Sequence, residues 1–262
     1  MFTKAIVRAP ASNFSEGLTT AELGSPQFAR ALEQHAAYCA ALAHCGLSVT
    51  RLEPDPNHPD STFVEDTAIL AECFDERSKR FAMITRPGAP SRRGEVAKTR
   101  SVLTDFYSEI LSIQPPGTLD GGDVCQAGNH FFIGLSDRTN EAGAQQLGGL
   151  LAALGYSTSL VDIRKIDGLL HLKSGLAYLG DNRLVVTEAL SKVVFPDYEL
   201  IRVHSNEAYA ANCIRVNECV LLAAGYPAFA ETLRELGYQT IALEMSEFQK
   251  MDGGLSCLSL RF

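Results

Sequence analysis

A cysteine near the carboxyl end of the chain has the local setting of a nucleophile. Cys257 follows the glycine pair Gly253-Gly254, which lets a ligand approach the backbone closely. The final residues alternate, and a regular strand there places Cys257 on its less apolar face. A cysteine that only fills space in the core is the competing interpretation, because free cysteine is among the most buried residue types. Local sequence leaves both open.

His171 is the candidate base for this cysteine. It lies in the segment LHLKSGL, with Gly168 just upstream, and its surroundings resemble those of Cys257. A histidine beside a cysteine can take and return the protons of nucleophilic catalysis. As a lone histidine it is equally compatible with a structural role.

Two pairs of acidic residues stand out. Asp120 and Asp123 flank two glycines, a pattern that turns also use. Glu65 and Asp66 lie inside an apolar run that reads as a strand, where acids are costly unless they are paired or ligated. In a regular strand these two would face opposite ways, so both reach one ligand only if the strand is distorted.

Arginines add a second type of contact. Arg86, Arg92, Arg93 and Arg138 are candidates to hold a substrate carboxylate through bidentate hydrogen bonds, although any single one suits a solvated surface equally well.

Cysteine, histidine and an acid together fit a papain-like protease, a transglutaminase or a thiol amidohydrolase. Spacing does not separate these classes. The sequence contains no HxxxH or CxxC set, so we expect no metal site.

The composition limits what these residues can act on. The chain has 262 residues, of which 46% are hydrophobic and 21% charged, as in ordinary globular proteins. Its formal net charge of −8 and the lack of Lys/Arg runs argue against nucleic-acid or anionic-membrane partners and suit a small cationic ligand. No apolar run reaches the ~20 residues of a membrane span, and we expect no signal peptide. Seven cysteines without a CxxC pair predict reduced thiols in the cytoplasm.

The elements that carry these residues form repeated modules. In each, a short apolar run, a turn of Gly, Asn or Asp, a second apolar run and a helix-like stretch follow one another. The modules start at Phe63, Asp120, His171, Asn212 and Gly254. The last module lacks its second half, which Lys4–Arg8 can complete. Five such units predict a closed, pseudo-fivefold α/β fold forming one domain over residues 1–262. An ordinary α/β domain with hairpins is the alternative.

Helices are predicted in the gaps. Ser25-Pro26 has the pattern of a helix start, and Gly46 that of the matching end. Two further helices are predicted over Asn140–Leu154 and Pro227–Leu236, each followed by a glycine.

A family resemblance then chooses among the enzyme classes. Seven motifs occur in order: FVEDTAIL, ITRPGAPSRRGE, TLDGGDV, FFIGLSDRTN, LHLKSGLAYL, YAANCI and DGGLSCLSLRF. Together they closely resemble the dimethylarginine dimethylaminohydrolases, of the guanidine-modifying, five-bladed α/β-propeller (pentein) superfamily. The match runs from Gly17 to Phe262. The polar turn Phe74–Arg80 is longer than in some bacterial members.

The resemblance implies an activity and its catalytic residues. The activity is hydrolysis of asymmetric dimethylarginine, or monomethylarginine, to citrulline and dimethylamine or methylamine, with no cofactor. Cys257 falls on the family nucleophile, and His171 on the general acid/base. Asp120 falls on an acidic position that is Asp or Glu in the family. Asp66, with Glu65, matches the acids that contact the guanidinium group.

The resemblance also implies contacts to the amino-acid end of the substrate. Arg92 and Arg138 match the carboxylate clamps. Leu18, Asp60 and Met251 fall on further contacts, some made by backbone atoms. Met251 departs from the β-branched residue often found at its position, a change that a backbone contact tolerates.

Two alternative functions use the same residues. An arginine deiminase-like hydrolase would use similar groups and release ammonia. A non-catalytic guanidino-compound binding module is disfavoured because both Cys257 and His171 are present. The acids around Cys257 predict a thiol that is neutral at rest and ionises when a cationic substrate binds. A homodimer is also expected.

Overall fold

The repeated modules fold into a repeated set of strands. The computed structural model describes residues 1–73 and 80–262. Its strands are β1 (Lys4–Arg8), β2 (Ser48–Leu52), β3 (Ala68–Glu72), β4 (Arg80–Ile84), β5 (Glu109–Ser112), β6 (Val124–Ala127), β7 (His130–Leu135), β8 (Ser157–Asp162), β9 (Leu176–Tyr178), β10 (Arg183–Thr187), β11 (Glu199–Val203), β12 (Ile214–Val216), β13 (Cys219–Ala223), β14 (Gln239–Leu243) and β15 (Leu260–Arg261). Its α-helices are α1 (Phe28–His44), α2 (Val96–Leu103), α3 (Glu141–Ala153), α4 (Pro227–Glu235) and α5 (Ser246–Gln249).

These strands form five three-stranded sheets with one connectivity. In each sheet the first two strands are antiparallel, as a hairpin in four of the five sheets, and the third runs parallel to the middle strand. The fifth sheet has the order β15-β1-β2 and joins the two ends of the chain. Lys4–Arg8 therefore completes the last module as predicted, and the pseudo-fivefold α/β-propeller is confirmed.

Most helices cross from a middle strand to a third strand. The two predicted over Asn140–Leu154 and Pro227–Leu236 are confirmed as α3 and α4, and the Asn140 side chain caps α3 by accepting from the Gly143 N–H. The predicted start of α1 was wrong. The helix begins at Phe28, because Gln27 is extended and its N–H donates to Glu247 of α5 at 2.7 Å.

The middle strands make much of the core. Residues 5–7, 184–186 and 220–222 are at most 1% exposed, as expected for strands covered on both faces. Within the described ranges, no helix is long and apolar enough to cross a membrane.

Short 3-10 turns precede the first strand of every sheet: Val64–Thr67, Gly121–Asp123, Leu172–Ser174, Ser205–Ala211 and Ser256–Leu258. Two predictions were wrong at these turns. Glu65 and Asp66 lie in a turn, and the strand starts only at Ala68. Cys257 also lies in a turn, since its N–H donates to Gly254 O at 3.2 Å and β15 starts at Leu260. The longer polar turn predicted at Phe74–Arg80 lies outside the described residues, except for Arg80.

Candidate active site

The turns before the first strands bring the chemistry-bearing residues to one pocket. Nine of the ten site residues predicted from the sequence line it; the tenth, Glu65, lies beside it. The lining consists of Leu18, Asp60, Phe63, Asp66, Arg92, Asp120, Arg138, Leu170, His171, Met251, Asp252, Gly253 and Cys257. Residues from distant parts of the chain therefore share one site.

His171 and Asp120 form a buried pair. The His171 Nε2 atom lies 3.1 Å from Asp120 Oδ2, and the other Asp120 oxygen accepts from the Gly88 N–H at 2.9 Å. Two glycines allow this approach. A Cβ on Gly121 would lie 2.0 Å from Glu65 O, and one on Gly122 would lie 2.8 Å from the His171 ring. The glycine pair is therefore required by close packing.

Asp66 is held from two sides. Its Oδ2 accepts from Arg92 Nη1 and its Oδ1 from the Gly122 N–H, both at 2.7 Å. Burial alone would raise the pKa of this carboxyl, but His171 and Arg92 outweigh burial and lower the pKa to about 2. Asp66 is therefore a fixed negative charge in the pocket.

The same charges set the state of the catalytic candidates. Burial disfavours the charged His171 ring, but Asp66, Asp123 and Asp120 outweigh it and raise its pKa to about 9. Burial, with Glu65 and Asp66 nearby, raises the pKa of the Cys257 thiol to about 12. At neutral pH the site therefore holds a neutral thiol, as expected from the sequence, and an imidazolium, which the sequence did not predict.

The two predicted carboxylate clamps differ. Arg92 is buried, and its guanidinium already donates to Asp66, to Glu95 at 2.9–3.2 Å and to the carbonyl oxygens of Asp60 and Phe63. Arg138 is half-buried and also lines the pocket. Arg92 therefore fixes Asp66, whereas Arg138 is better placed to meet a substrate group.

The segment of residues 18–20 lies along one side of the pocket. Asp60 accepts from the Leu18 N–H at 3.0 and 3.2 Å. Thr19 and Thr20 then hydrogen-bond Lys250 O and the Asp252 side chain, next to the buried Met251. The three residues predicted for the amino-acid end of a ligand thus lie in one wall.

Glu65 lines a neighbouring cavity of about 610 Å³ instead of the pocket itself. Its carboxylate accepts from Lys173 Nζ at 2.6 Å and from Ser256 Oγ at 2.8 Å. Arg261 Nη2 lies 3.9 Å from the same group. Sequence reasoning missed Lys173 and Ser256 as partners, although each lies within two residues of a predicted catalytic residue.

The acidic cluster could also hold a metal ion. One ligand atom each from Asp66, Asp120 and His171 lie within 4.8 Å of one another. In the structure, however, Asp66 is paired with Arg92 and Asp120 with His171. The arrangement of carboxylates equally suits a flat organic cation that donates several N–H groups.

Comparisons with known proteins identify relatives over the whole chain. The N(G),N(G)-dimethylarginine dimethylaminohydrolase of Pseudomonas aeruginosa is 46% identical over 264 residues and covers 100% of both chains. A crystal structure from that organism, a cysteine-to-serine mutant complexed with citrulline, has a TM-score of 0.94, 45% identity and full coverage of both chains. A histidine-to-glycine dimethylarginine dimethylaminohydrolase in adduct with S-methyl-L-thiocitrulline has a TM-score of 0.93, 45% identity and the same coverage. No family model matches the chain.

Proposed function

The chain belongs to the dimethylarginine dimethylaminohydrolase family, and we propose that it hydrolyses asymmetric dimethylarginine and monomethylarginine to citrulline and the methylated amine. One observation carries this proposal. Cys257, His171, Asp120 and Asp66 line a single pocket, as the chemistry of a guanidinium substrate requires. The relatives that were crystallised with citrulline and with a thiocitrulline adduct support the same product class.

Binding uses the carboxylates and one arginine. A guanidinium ion is a resonance-stabilised cation and a poor electrophile, so it must be held against the nucleophile. Asp66 and Asp120 accept its N–H groups and face its positive charge. Arg138 binds the α-carboxylate, while Arg92 keeps Asp66 ionised and in place. Leu18, Asp60 and Met251 contact the amino-acid end.

The first half-reaction forms a covalent intermediate. The Cys257 thiolate attacks the central guanidinium carbon, forming the S–C bond. The thiol proton leaves to solvent as the substrate binds, and the His171 imidazolium donates its own proton to the departing dimethylamine as the C–N bond breaks, which leaves His171 neutral. Substrate and thiol thus give an S-alkylthiouronium and dimethylamine. Asp120 holds the His171 ring in the orientation that both proton transfers need.

The second half-reaction releases citrulline. His171, now the base, takes a proton from a water molecule that attacks the thiouronium carbon. The C–S bond breaks, the sulfur leaves as the thiol, and one proton is released overall. Water and these side chains suffice for both steps.

One assay tests the function. The purified protein is incubated separately with asymmetric dimethylarginine, monomethylarginine and arginine, and the amines and citrulline are quantified. We expect dimethylamine from asymmetric dimethylarginine and methylamine from monomethylarginine, each in an amount equal to the citrulline formed. Ammonia from arginine as the dominant product would assign the chain to the arginine deiminases instead.

We also propose that residues 1–262 act as one catalytic domain in the cytoplasm, as a homodimer. Seven free cysteines suit a reducing compartment. Light scattering of the eluted protein measures the oligomeric state directly, and a monomeric mass at working concentration would contradict the dimer.

A further inference from the structure

The fourth module contributes a residue that the mechanism above does not use. Asn212 begins that module, as Asp120 and His171 begin theirs. It is buried at 8% exposure but does not line the pocket. We propose that Asn212 is a positioning residue that sets Cys257 against His171 by tying together the two turns that carry them. This proposal rests on the proposed function.

Two hydrogen bonds from the Asn212 amide connect these turns. Asn212 Nδ2 donates to Lys173 O at 3.2 Å, in the turn that begins directly after His171. Asn212 Oδ1 accepts from the Ser256 N–H at 2.8 Å, in the turn that contains Cys257. A single planar group thus connects the turn of the base to the turn of the nucleophile.

Packing against Gly254 makes the link tighter. A Cβ on Gly254 would lie 2.4 Å from Asn212 Cγ, so the amide rests directly on this glycine. The Gly254 N–H in turn points at the Cys257 sulfur, 3.4 Å away. Asn212 therefore contacts the nucleophile's segment both before and at the start of its turn.

The residue type follows from the two partners. The Lys173 carbonyl needs a donor and the Ser256 N–H needs an acceptor, and an asparagine amide supplies both. Alanine would leave both backbone groups without this partner, and aspartate would keep only the acceptor. Misplacing reacting groups by about 1 Å can cost 10²-fold in rate. The substrate contacts at Arg138 and Asp60 lie on other elements and stay in place.

Asn212→Ala tests the proposal. We expect kcat for asymmetric dimethylarginine to fall by about 100-fold, while KM stays within about threefold. Alkylation of Cys257 by iodoacetamide, which needs the thiol but not His171, stays within about threefold of wild type. Asn217→Gly is the matched control, because it removes another bridging amide, one that bonds Phe2 and Cys45. We expect its kcat to be unchanged.

Two results would refute the positioning role of Asn212. If Asn212→Ala keeps kcat within about threefold, or if KM rises as much as kcat falls, Asn212 has no positioning role. If that variant does not fold, Asn212→Asp replaces it. Its kcat is divided by its alkylation rate, which corrects for the effect of the added charge on the thiol. We expect this ratio to fall at least about tenfold relative to wild type, and an unchanged ratio overturns the proposal. Wild-type protein that releases no methylated amine would instead refute the proposed function.

Discussion

Occupying the pocket with a cation should lower the pKa of the Cys257 thiol. In the empty site the thiol pKa is about 12, because burial, Glu65 and Asp66 all oppose a thiolate, with only partial relief from the Gly254 N–H and from Lys173. At pH 7 this leaves about one thiol in 10⁵ ionised. A guanidinium or amidinium carbon held about 4 Å from the sulfur contributes about 4 kcal/mol at an effective dielectric constant of about 20. One pKa unit is about 1.36 kcal/mol, so bound cation should lower the thiol pKa by about 3 and raise the thiolate fraction about 1,000-fold.

Thiolate absorbance in the ultraviolet measures this shift. The protein is titrated with and without a non-reactive amidinium ligand, and Cys257→Ser under the same conditions is the blank that removes the other six cysteines and the tyrosines. We expect a lower apparent thiol pKa with ligand. An unchanged pKa would refute substrate-coupled activation. A pKa already well below neutrality in the empty enzyme would also refute it and would mean a permanent Cys257–His171 ion pair.

Three further predictions concern His171 and Arg138. For His171→Ala we expect slower adduct formation and a still slower adduct hydrolysis, seen by acid quench and mass spectrometry; rapid adduct decay would show that another base activates water. Arginine derivatives should be preferred over agmatine, which lacks the α-carboxylate, by roughly tenfold to a hundredfold, because an unmade charged hydrogen bond costs about 1–3 kcal/mol. That preference should shrink in Arg138→Ala but not in the exposed control Arg164→Ala, and equal rates for both ligands in wild type would make Arg138 structural. The folded His171 pKa of about 9 exceeds its ordinary 6.5, so its stabilisation is full below pH 6.5 and is lost as pH rises to 9. Urea unfolding should show the wild-type advantage over His171→Gln falling by about 3 kcal/mol across that range; a constant difference would contradict the raised pKa.

Repetition made most of the fold predictable. The hairpin turns at Gly128-Asn129 and Asn217-Glu218 lie where their residue types require, between β6 and β7 and between β12 and β13. The same repetition predicted that Lys4–Arg8 would complete the last sheet. Local patterns gave the wrong structure at the module starts. The apolar run around Glu65 and Asp66 has the pattern of a strand, although these two residues lie in a turn. The 3-10 turn at Val64–Thr67 is stabilised by partners far along the chain, which periodicity does not reveal.

The candidate site was predictable as a set of residues and less so as a set of contacts. Seven of the ten predicted residues stand in a quoted motif, and Leu18, Asp60 and Met251 lie outside them. The partners of these side chains often come from other modules. Glu65 binds Lys173 and Ser256, which are 108 and 191 positions away. Arg92 reads as a free clamp until the structure shows Glu95 and Asp66 around it. Such pairings depend on how the sheets are arranged, and one sequence carries little signal for them.

Trapping the covalent intermediate tests the account most directly. The protein reacts with asymmetric dimethylarginine under single-turnover conditions and is then quenched with acid and digested. The mass of the peptide that contains Cys257 is measured by mass spectrometry. We expect that peptide to carry the substrate minus dimethylamine, appearing before citrulline and then decaying, with no adduct and no product from Cys257→Ser although this variant still binds substrate. Citrulline formed by Cys257→Ser, with no adduct on the native enzyme at any time, would contradict nucleophilic catalysis by Cys257.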